Sequence, residues 1–290
     1  MKRRQILCVA AAVLVFLLAI GLTLYPIIIS THINASYASE IRTSYEAVIA
    51  EADNSDLLAA REAATHYNES ITPGATDTDT YSQEALLAAS QNYKELLNIT
   101  GDGIMGYVEI PKIGVQLPIY HGTGADSLER GVGHLLGSSL PVGGGSTHTI
   151  LTGHSGMATQ KMFSDLPQLE VGDVFYLKVL GETLSYQVDQ IHTVLPHDTT
   201  YLGIEQNRDL CTLVTCTPFG VNTHRLLVRG TRIPYAEAEV LVETTQEEAV
   251  ESTWEQHYLK GIFIGFGVVL AAGIVGVVVW LIRGRYREKR

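Results

Sequence analysis

Two apolar runs bracket this 290-residue chain, and they limit what it can fold into more than any other feature. Residues 6–24 form a 19-residue stretch without a charge, and residues 261–282 form a 22-residue one. At about 1.5 Å of rise per residue, a helix of either length matches a ~30 Å hydrocarbon core. Three basic residues precede the first run in "MKRR", and five follow the second in "RGRYREKR". The far flank of the first run carries no charge until Glu40. Cytoplasmic flanks collect Lys and Arg, so both termini are expected in the cytoplasm and everything between them outside. A cleaved signal peptide competes for the first run. Its apolar region is too long for that and no A-x-A site follows closely, which predicts an uncleaved anchor. A sorting tail that is removed competes for the second, but no clear recognition motif precedes it.

The formal charge of −11 argues against a nucleic-acid partner, which calls for clustered Lys and Arg. Three cysteines are present. Cys8 lies in the first run, as a small apolar residue or a lipidation site. Cys211 and Cys216 share one expected strand at odd spacing, so they point to opposite faces and cannot bridge. An exported domain without a possible internal disulfide keeps a thiol free for another reason.

The expected organisation is a basic end and anchor over 1–30, outer helices with a loop over 31–103, and a β domain over 104–235. An acidic linker follows over 236–258, then the second span over 259–282 and a basic tail over 283–290. Ile41, Tyr45, Val48 and Ala52 recur at helical spacing within 38–68. The loop "ESITPGATDTDTYSQ" follows. A second helix is predicted over 82–98, with Thr80 and Gln83 as a capping box and Leu86, Tyr93 and Leu97 facing inward. Beyond residue 106, short β-branched and aromatic segments alternate with turns: "YVEIP", "VQLPIYH", "HTILTGH", "VFYLKVL", "LSYQVDQIHTVL", "LCTLVTCT" and "RLLVRGTRI". "LGET" reads as a hairpin turn, and a short helix is expected around 160–166. Seven or eight such strands predict a small sandwich or a closed barrel.

Cys216 ends its strand and opens the loop "TPFGVNTH", a place where scaffolds present reactive groups. A buried, inert strand cysteine is the plainer reading. Export, the lack of a partner and the strand-end position favour a nucleophile. An ordinary thiol is mostly protonated at neutral pH, so a nucleophile there needs a base or a positive neighbour. His154, in "ILTGHSGM", stands where a strand meets a Gly-flanked turn and is the best placed of ten histidines. His121 and His134 read as turn residues. His148, His192, His197 and His224 read as structural or solvated. Arg225 opens the strand after the Cys216 loop, where a guanidinium can steady a thiolate or an oxyanion, or can form a plain salt bridge. Arg229 and Arg232 fit the salt-bridge role better.

"TLVTC" followed by Arg225, with "LTGH" about sixty residues upstream, resembles the sortases, membrane-bound cysteine transpeptidases of Gram-positive bacteria. The likeness runs over 38–233, and "GYVEIPKIGVQLPIYHGT" and "TCTPFGVNTHRLLVRG" resemble the pilin-assembling class C in particular. The resemblance implies a mainly β, eight-stranded barrel with N-terminal helices and a transmembrane helix at each end. It implies Cys216 as nucleophile, His154 as general acid and base, and Arg225 as oxyanion stabiliser, with no cofactor and no metal. The implied substrate is an LPxTG-like signal cut between Thr and Gly, and the implied acceptor a pilin lysine. A housekeeping sortase using a cell-wall precursor amine is the alternative. A cysteine endopeptidase and a membrane-tethered binding module stand further off. In class C the loop before the barrel carries an Asp-Pro-aromatic lid. Here Asp79-Thr80-Tyr81 stands in that place without the proline, and the same residues also suit a helix-capping turn. As a lid, Asp79 would approach Arg225 and Tyr81 would cover the thiol.

Overall fold

The computed structural model describes residues 34–71, 92–157 and 161–245, with isolated helical positions within 14–25 and 260–268. Contacts divide the chain into two units, residues 1–24 with 251–290, and residues 25–250. Both expected spans lie largely outside the described residues, and among those described no helix is long and apolar enough to cross a membrane. Asp79, Thr80, Tyr81 and Gln83 also lie outside them.

The helical region expected over 38–68 is two helices, α1 (Asn34–Glu51) and α2 (Asn54–Ser70). Asp53 separates them as an N-cap. Its carboxylate accepts the Ser55 N–H at 3.0 Å, which satisfies one orphan donor of α2 and holds the carboxyl below its ordinary value. Ile41, Tyr45 and Ile49 face the barrel, whereas Val48 is exposed. The buried stripe steps by four residues where the sequence suggested a step of three. Tyr45 fixes that stripe: its hydroxyl donates to Met105 O at 3.1 Å and accepts Leu180 N–H at 3.0 Å. Burial pushes this phenol up to about 12, against the pull of the Leu180 N–H.

Eight strands follow: β1 (Ile104–Ile110), β2 (Val115–His121), β3 (Val132–His134), β4 (Thr147–Thr152), β5 (Val174–Val179), β6 (Glu182–Val194), β7 (Asp209–Thr217) and β8 (His224–Ile233). They form a closed barrel in the order β1-β2-β3-β4-β7-β8-β6-β5, not a sandwich. β2–β3 and β4–β7 pair parallel, and the other neighbours pair antiparallel. Closure leaves no open edge for another chain to extend. The β5–β6 hairpin turns on Leu180 and Gly181, at φ 50° and 79°. Two positive φ values in a two-residue loop match the twist of the strands, and glycine adopts one of them without a Cβ clash.

Four elements differ from the sequence expectation. The helix expected over 82–98, of which only 92–98 is described, is helical at Asn92 and Tyr93 and then turns, with Leu97 at φ 61°. β3 has only three residues, too few to display a period of two, and reaches β2 through the short helix α3 (Ala125–Arg130). His134 therefore lies in a strand, not in a turn. The helix expected around 160–166 is instead a series of turns and a 3-10 turn at Leu166–Gln168, with Met162 at φ 43° where an α-helix cannot continue. The first part of the segment expected as an acidic linker is helix α4 (Tyr235–Thr245). Ala238, Leu241 and Val242 sit at i, i+3 and i+4 and pack with Val174 and Tyr176 of β5, while the glutamates that gave the linker its character take the remaining positions.

The barrel interior holds Cys211 and Leu213 of β7, Leu226 and Val228 of β8, and the stacked rings of Phe175 and Tyr186. A second apolar cluster of Ile150, Val194, Leu202, Val214 and Leu227 lies on the opposite face of β4, β7, β8 and β6. Two histidines are buried among these layers. His134 Nε2 faces Ser139 O at 2.9 Å while Nδ1 meets the Tyr93 hydroxyl at 2.7 Å. His148 Nδ1 faces Gly203 O at 2.8 Å and Nε2 meets Thr212 Oγ1 at 2.7 Å. A ring with a carbonyl on one nitrogen and a hydroxyl on the other is satisfied when neutral. Burial, partly offset by those carbonyl contacts, lowers each from 6.5 to about 4.

Between about 4 and 6.5 the unfolded chain thus binds two protons that the native barrel refuses, so stability rises with pH across that window. Urea unfolding of the purified protein should show stability falling as pH drops from about 7 to about 5, at up to about 1.4 kcal/mol per unit for each histidine. Replacing both by glutamine should flatten the profile in that range. An equally steep profile in the double variant would assign the effect to other groups.

Candidate active site

The β4–β7 register places Thr152 beside Val214, and the pairing continues past the end of β4. Gly153 N–H donates to Val214 O at 3.0 Å, the Thr215 hydroxyl donates to Gly153 O at 2.8 Å, and the Ser155 hydroxyl donates to Cys216 O at 2.7 Å. These bonds carry the chain through His154 level with Cys216. On the other side of β7, Cys216 pairs directly with Arg225 of β8. Paired residues on adjacent strands share a face, with Cα atoms about 4.5–5.5 Å apart. The turn after β4, the end of β7 and the start of β8 therefore bring His154, Cys216 and Arg225 to one end of the barrel, with the thiol in the middle. All three are half-buried.

The alternation of β7 separates its two cysteines. Cys211 is fully buried in the interior cluster, and burial, with the Asp209 charge beside it, pushes its thiol well up. Cys216 lies on the outer face, two positions beyond Val214. Both are free thiols. Solvent reaches Cys216 and not Cys211.

His154 owes its place to a glycine. A Cβ on Gly153 would come within 2.7 Å of the Phe163 ring, which is fully buried, and Phe163 N–H donates to His154 O at 3.0 Å. The ring thus packs on a bare backbone and holds the turn on which the imidazole stands. Ser155, Thr215 and Phe163 all support this turn, and sequence reasoning missed them. The roles of Ser155 and Thr215 depend on a parallel pairing between segments 61 and 62 residues apart, and that of Phe163 on a turn that folds back onto Gly153, neither of which a local pattern announces.

The arginines of β8 divide by partner. Arg229 forks onto Asp189 at 3.0 and 2.8 Å and also reaches Glu205, and Arg232 lies 3.8 Å from Asp209. Arg225 donates only to backbone, to His224 O at 3.0 Å and Asn222 O at 3.3 Å, and has no carboxylate partner among the described residues. Among the other described histidines only His224 adjoins this group, through its carbonyl on Arg225. His121 contacts Gly103 O and Leu96 O, His192 stacks on Tyr201, His197 is exposed, and His224 contacts the Thr223 hydroxyl. The arrangement offers a half-buried thiol, an imidazole one strand away for proton transfer, and an unneutralised guanidinium on the other side. That set suits acyl transfer through a thioester.

Comparison with known proteins agrees with the geometry. The family described as "Sortase domain" matches residues 108–233. Sortase D of Bacillus subtilis (strain 168) is 34% identical over 131 residues, which are 44% of this chain and 63% of that protein. The chain thus spans a little under two thirds of that curated relative. The crystal structure of sortase C from Streptococcus pneumoniae, studied for catalysis and pilin substrate specificity, superposes with a TM-score of 0.60 at 41% identity. It covers 68% of this chain and 97% of its own. Sortase C-1 of Actinomyces oris gives a TM-score of 0.55 at 46% identity, covering 61% of this chain and 99% of its own. The barrel, the order of its strands and the residues at its open end belong together: this chain is a member of the sortase family.

Proposed function

We propose that the protein is a membrane-anchored cysteine transpeptidase that joins pilin subunits. The observation that carries this reading is the placement of Cys216 between His154, on the turn after β4, and Arg225 of β8. The likeness to solved class C sortases, at 41% and 46% identity over nearly their whole chains, supports the pilin assignment. The substrate is an LPxTG-like sorting signal, bound extended along the outer face of β4 and β7. Cys216 Sγ, as thiolate, attacks the threonine carbonyl carbon. Arg225 N–H groups stabilise the oxyanion, the Thr–Gly C–N bond breaks, and His154 gives its proton to the departing glycine amine. The lysine amine of another pilin, relieved of a proton by His154, then attacks the thioester carbonyl and expels the Cys216 thiolate. The apolar runs hold both termini in the cytoplasm and the barrel outside.

Cys216→Ala should abolish the high-mass ladder of covalent pilin multimers, while Cys211→Ala keeps most of it. A ladder that survives loss of the enzyme while monomers appear in the medium would favour wall anchoring instead. Arg225→Lys keeps the charge but loses the planar fork, and a rate loss of about a hundredfold is expected. Turnover near normal would reduce Arg225 to a structural role.

Gly153→Ala should lower the rate at least tenfold by displacing the His154 turn, and Cys216 should still label with a small alkylating reagent. An unchanged rate would show that Phe163 yields to the methyl group. Topology has its own check. In a Cys216→Ala background, Val240→Cys, exposed on α4, should react with an impermeant reagent on intact cells, and Arg287→Cys should not. The reverse pattern would overturn the outside placement.

A further inference from the structure

His154 stands just past the end of β4, where β3 no longer pairs with the chain. Toward β7 its turn is held at Gly153 and Ser155, through Val214 O and Cys216 O. On the other side it rests on the turns over 162–166. Phe163 N–H donates to His154 O, and Gly156 N–H donates to Ser164 Oγ, both at 3.0 Å. Met162, at φ 43°, keeps these turns from winding into an α-helix that would stiffen them. Their position has to be set by what they touch.

Two lysines make the attachment. The 3-10 turn Pro111–Ile113 joins β1 to β2. β2 runs with β3 and against β4, so this turn lies at the end of the barrel toward which β4 runs. Lys161 Nζ donates to Ile113 O at 2.6 Å and pairs with the Asp165 carboxylate at 2.8 Å. The Asp165 side chain is 1% exposed and that of Lys161 36%. Lys112, from the turn itself, reaches back to Asp173 at 2.9 Å and Glu170 at 3.2 Å. Each lysine crosses between the 161–173 segment and the barrel turn in the opposite direction to the other. A buried carboxylate is costly to desolvate, and apolar side chains of similar size often stabilise such a place equally well. What the charge adds is direction: Asp165 holds the ammonium, and the ammonium meets one particular carbonyl of the barrel.

We infer that Lys161 is a positioning residue for His154: clamped between Asp165 and the Ile113 carbonyl, it fixes the 162–166 turns against the barrel, and those turns carry the backbone of the imidazole through Phe163 and Ser164. This rests on the proposed transpeptidase reading, in which His154 gives a proton to the glycine amine as the Thr–Gly bond breaks. An error of about 1 Å in the placement of a reacting group costs up to about a hundredfold in rate. The step that suffers is the one whose leaving group needs the proton. Cys216 and Arg225 are held by the pairing of β7 with β8, so peptide binding and attack by sulfur are spared.

The test uses the full-length chain in detergent and two substrates, an LPxTG-like peptide and an LPxT peptide whose threonine carboxyl is a para-nitrophenyl ester. Nitrophenolate leaves without a proton, whereas the glycine amine needs one. Lys161→Met keeps the apolar stem and removes the ammonium. In single turnovers it should be acylated by the amide about tenfold more slowly, with a half-saturating peptide concentration within about twofold of the original. Release of nitrophenolate in the first turnover should stay within about twofold. Hydrogen exchange at the Gly156 and Phe163 amides should quicken. Asp165→Asn, of the same shape without the charge, should repeat the pattern, and it decides the matter if Lys161→Met does not fold. Equal losses on both substrates would overturn the assignment to His154, as would a loss confined to half-saturation. An unchanged amide rate would overturn the positioning role, and unchanged exchange would overturn the clamp itself. If the unsubstituted enzyme leaves the amide intact, the transpeptidase reading fails, and the exchange comparison still decides whether the clamp exists.

Discussion

The parallel pairing of β4 with β7 is the constraint on which the rest of the molecule depends. It joins residues 62 apart, closes the barrel, and puts the end of one strand beside the end of the other. Parallel neighbours cannot be joined by a tight turn, so the chain between them must leave and return. Here that excursion contains β5, β6 and the 195–208 loop. The residues that cross back pack Leu202 onto the outer face of the pair, so closure of the barrel and placement of this loop are a single event. Its entropic cost is that of a long loop closed before non-local contacts form.

The pairing also explains why one strand can serve structure and chemistry at once. Side chains alternate with period two, so β7 gives Cys211 and Leu213 to the interior and Val214 and Cys216 to the outer face. One cysteine is packed as a small apolar residue and its thiol is driven up by burial. The other emerges where the strand ends and backbone hydrogen bonds give way to the Pro218–Thr223 turn. The neighbouring strands obey the same alternation. Ile150 and His154 on one side, and Arg225 and Leu227 on the other, share the face of Cys216.

Much of this was legible in the sequence because it depends on local chemistry. The parity of Cys211 and Cys216 separates them before any fold is known. The "LGET" turn is specified by a glycine that tolerates positive φ. Seven of the eight strands display their β-branched and aromatic runs. What was not legible depends on partners distant in sequence. β3 is too short to show a period, and its pairing with β2 and β4 is what makes it a strand. Ile49 replaces Val48 on the buried face of α1 because Tyr45 is pinned by Met105 and Leu180, contacts 60 and 135 residues away. The start of the acidic segment is a helix because Ala238 and Leu241 find β5, and its glutamates, counted without those partners, suggest only a solvated linker.

The charges along β8 complete the argument from structure to chemistry. Arg229 and Arg232 are each matched by carboxylates, as expected for guanidiniums that serve the fold. Arg225 is half-buried, held by the carbonyls of His224 and Asn222, and directly opposite the thiol. Backbone carbonyls orient a guanidinium without cancelling its charge. A carboxylate in their place would bind it more tightly but would remove the positive field from the side chain across the strand. The site therefore leaves Arg225 unneutralised among the described residues and fixes its direction, so that its charge remains available for what forms at Cys216. In the proposed reaction, sulfur as it attacks and an oxyanion in the transition state are the two negative groups that arise there in turn. Under the proposed mechanism, a preoriented cation that stays in place while the negative charge moves from sulfur to oxygen has little reorganisation left to do during the reaction.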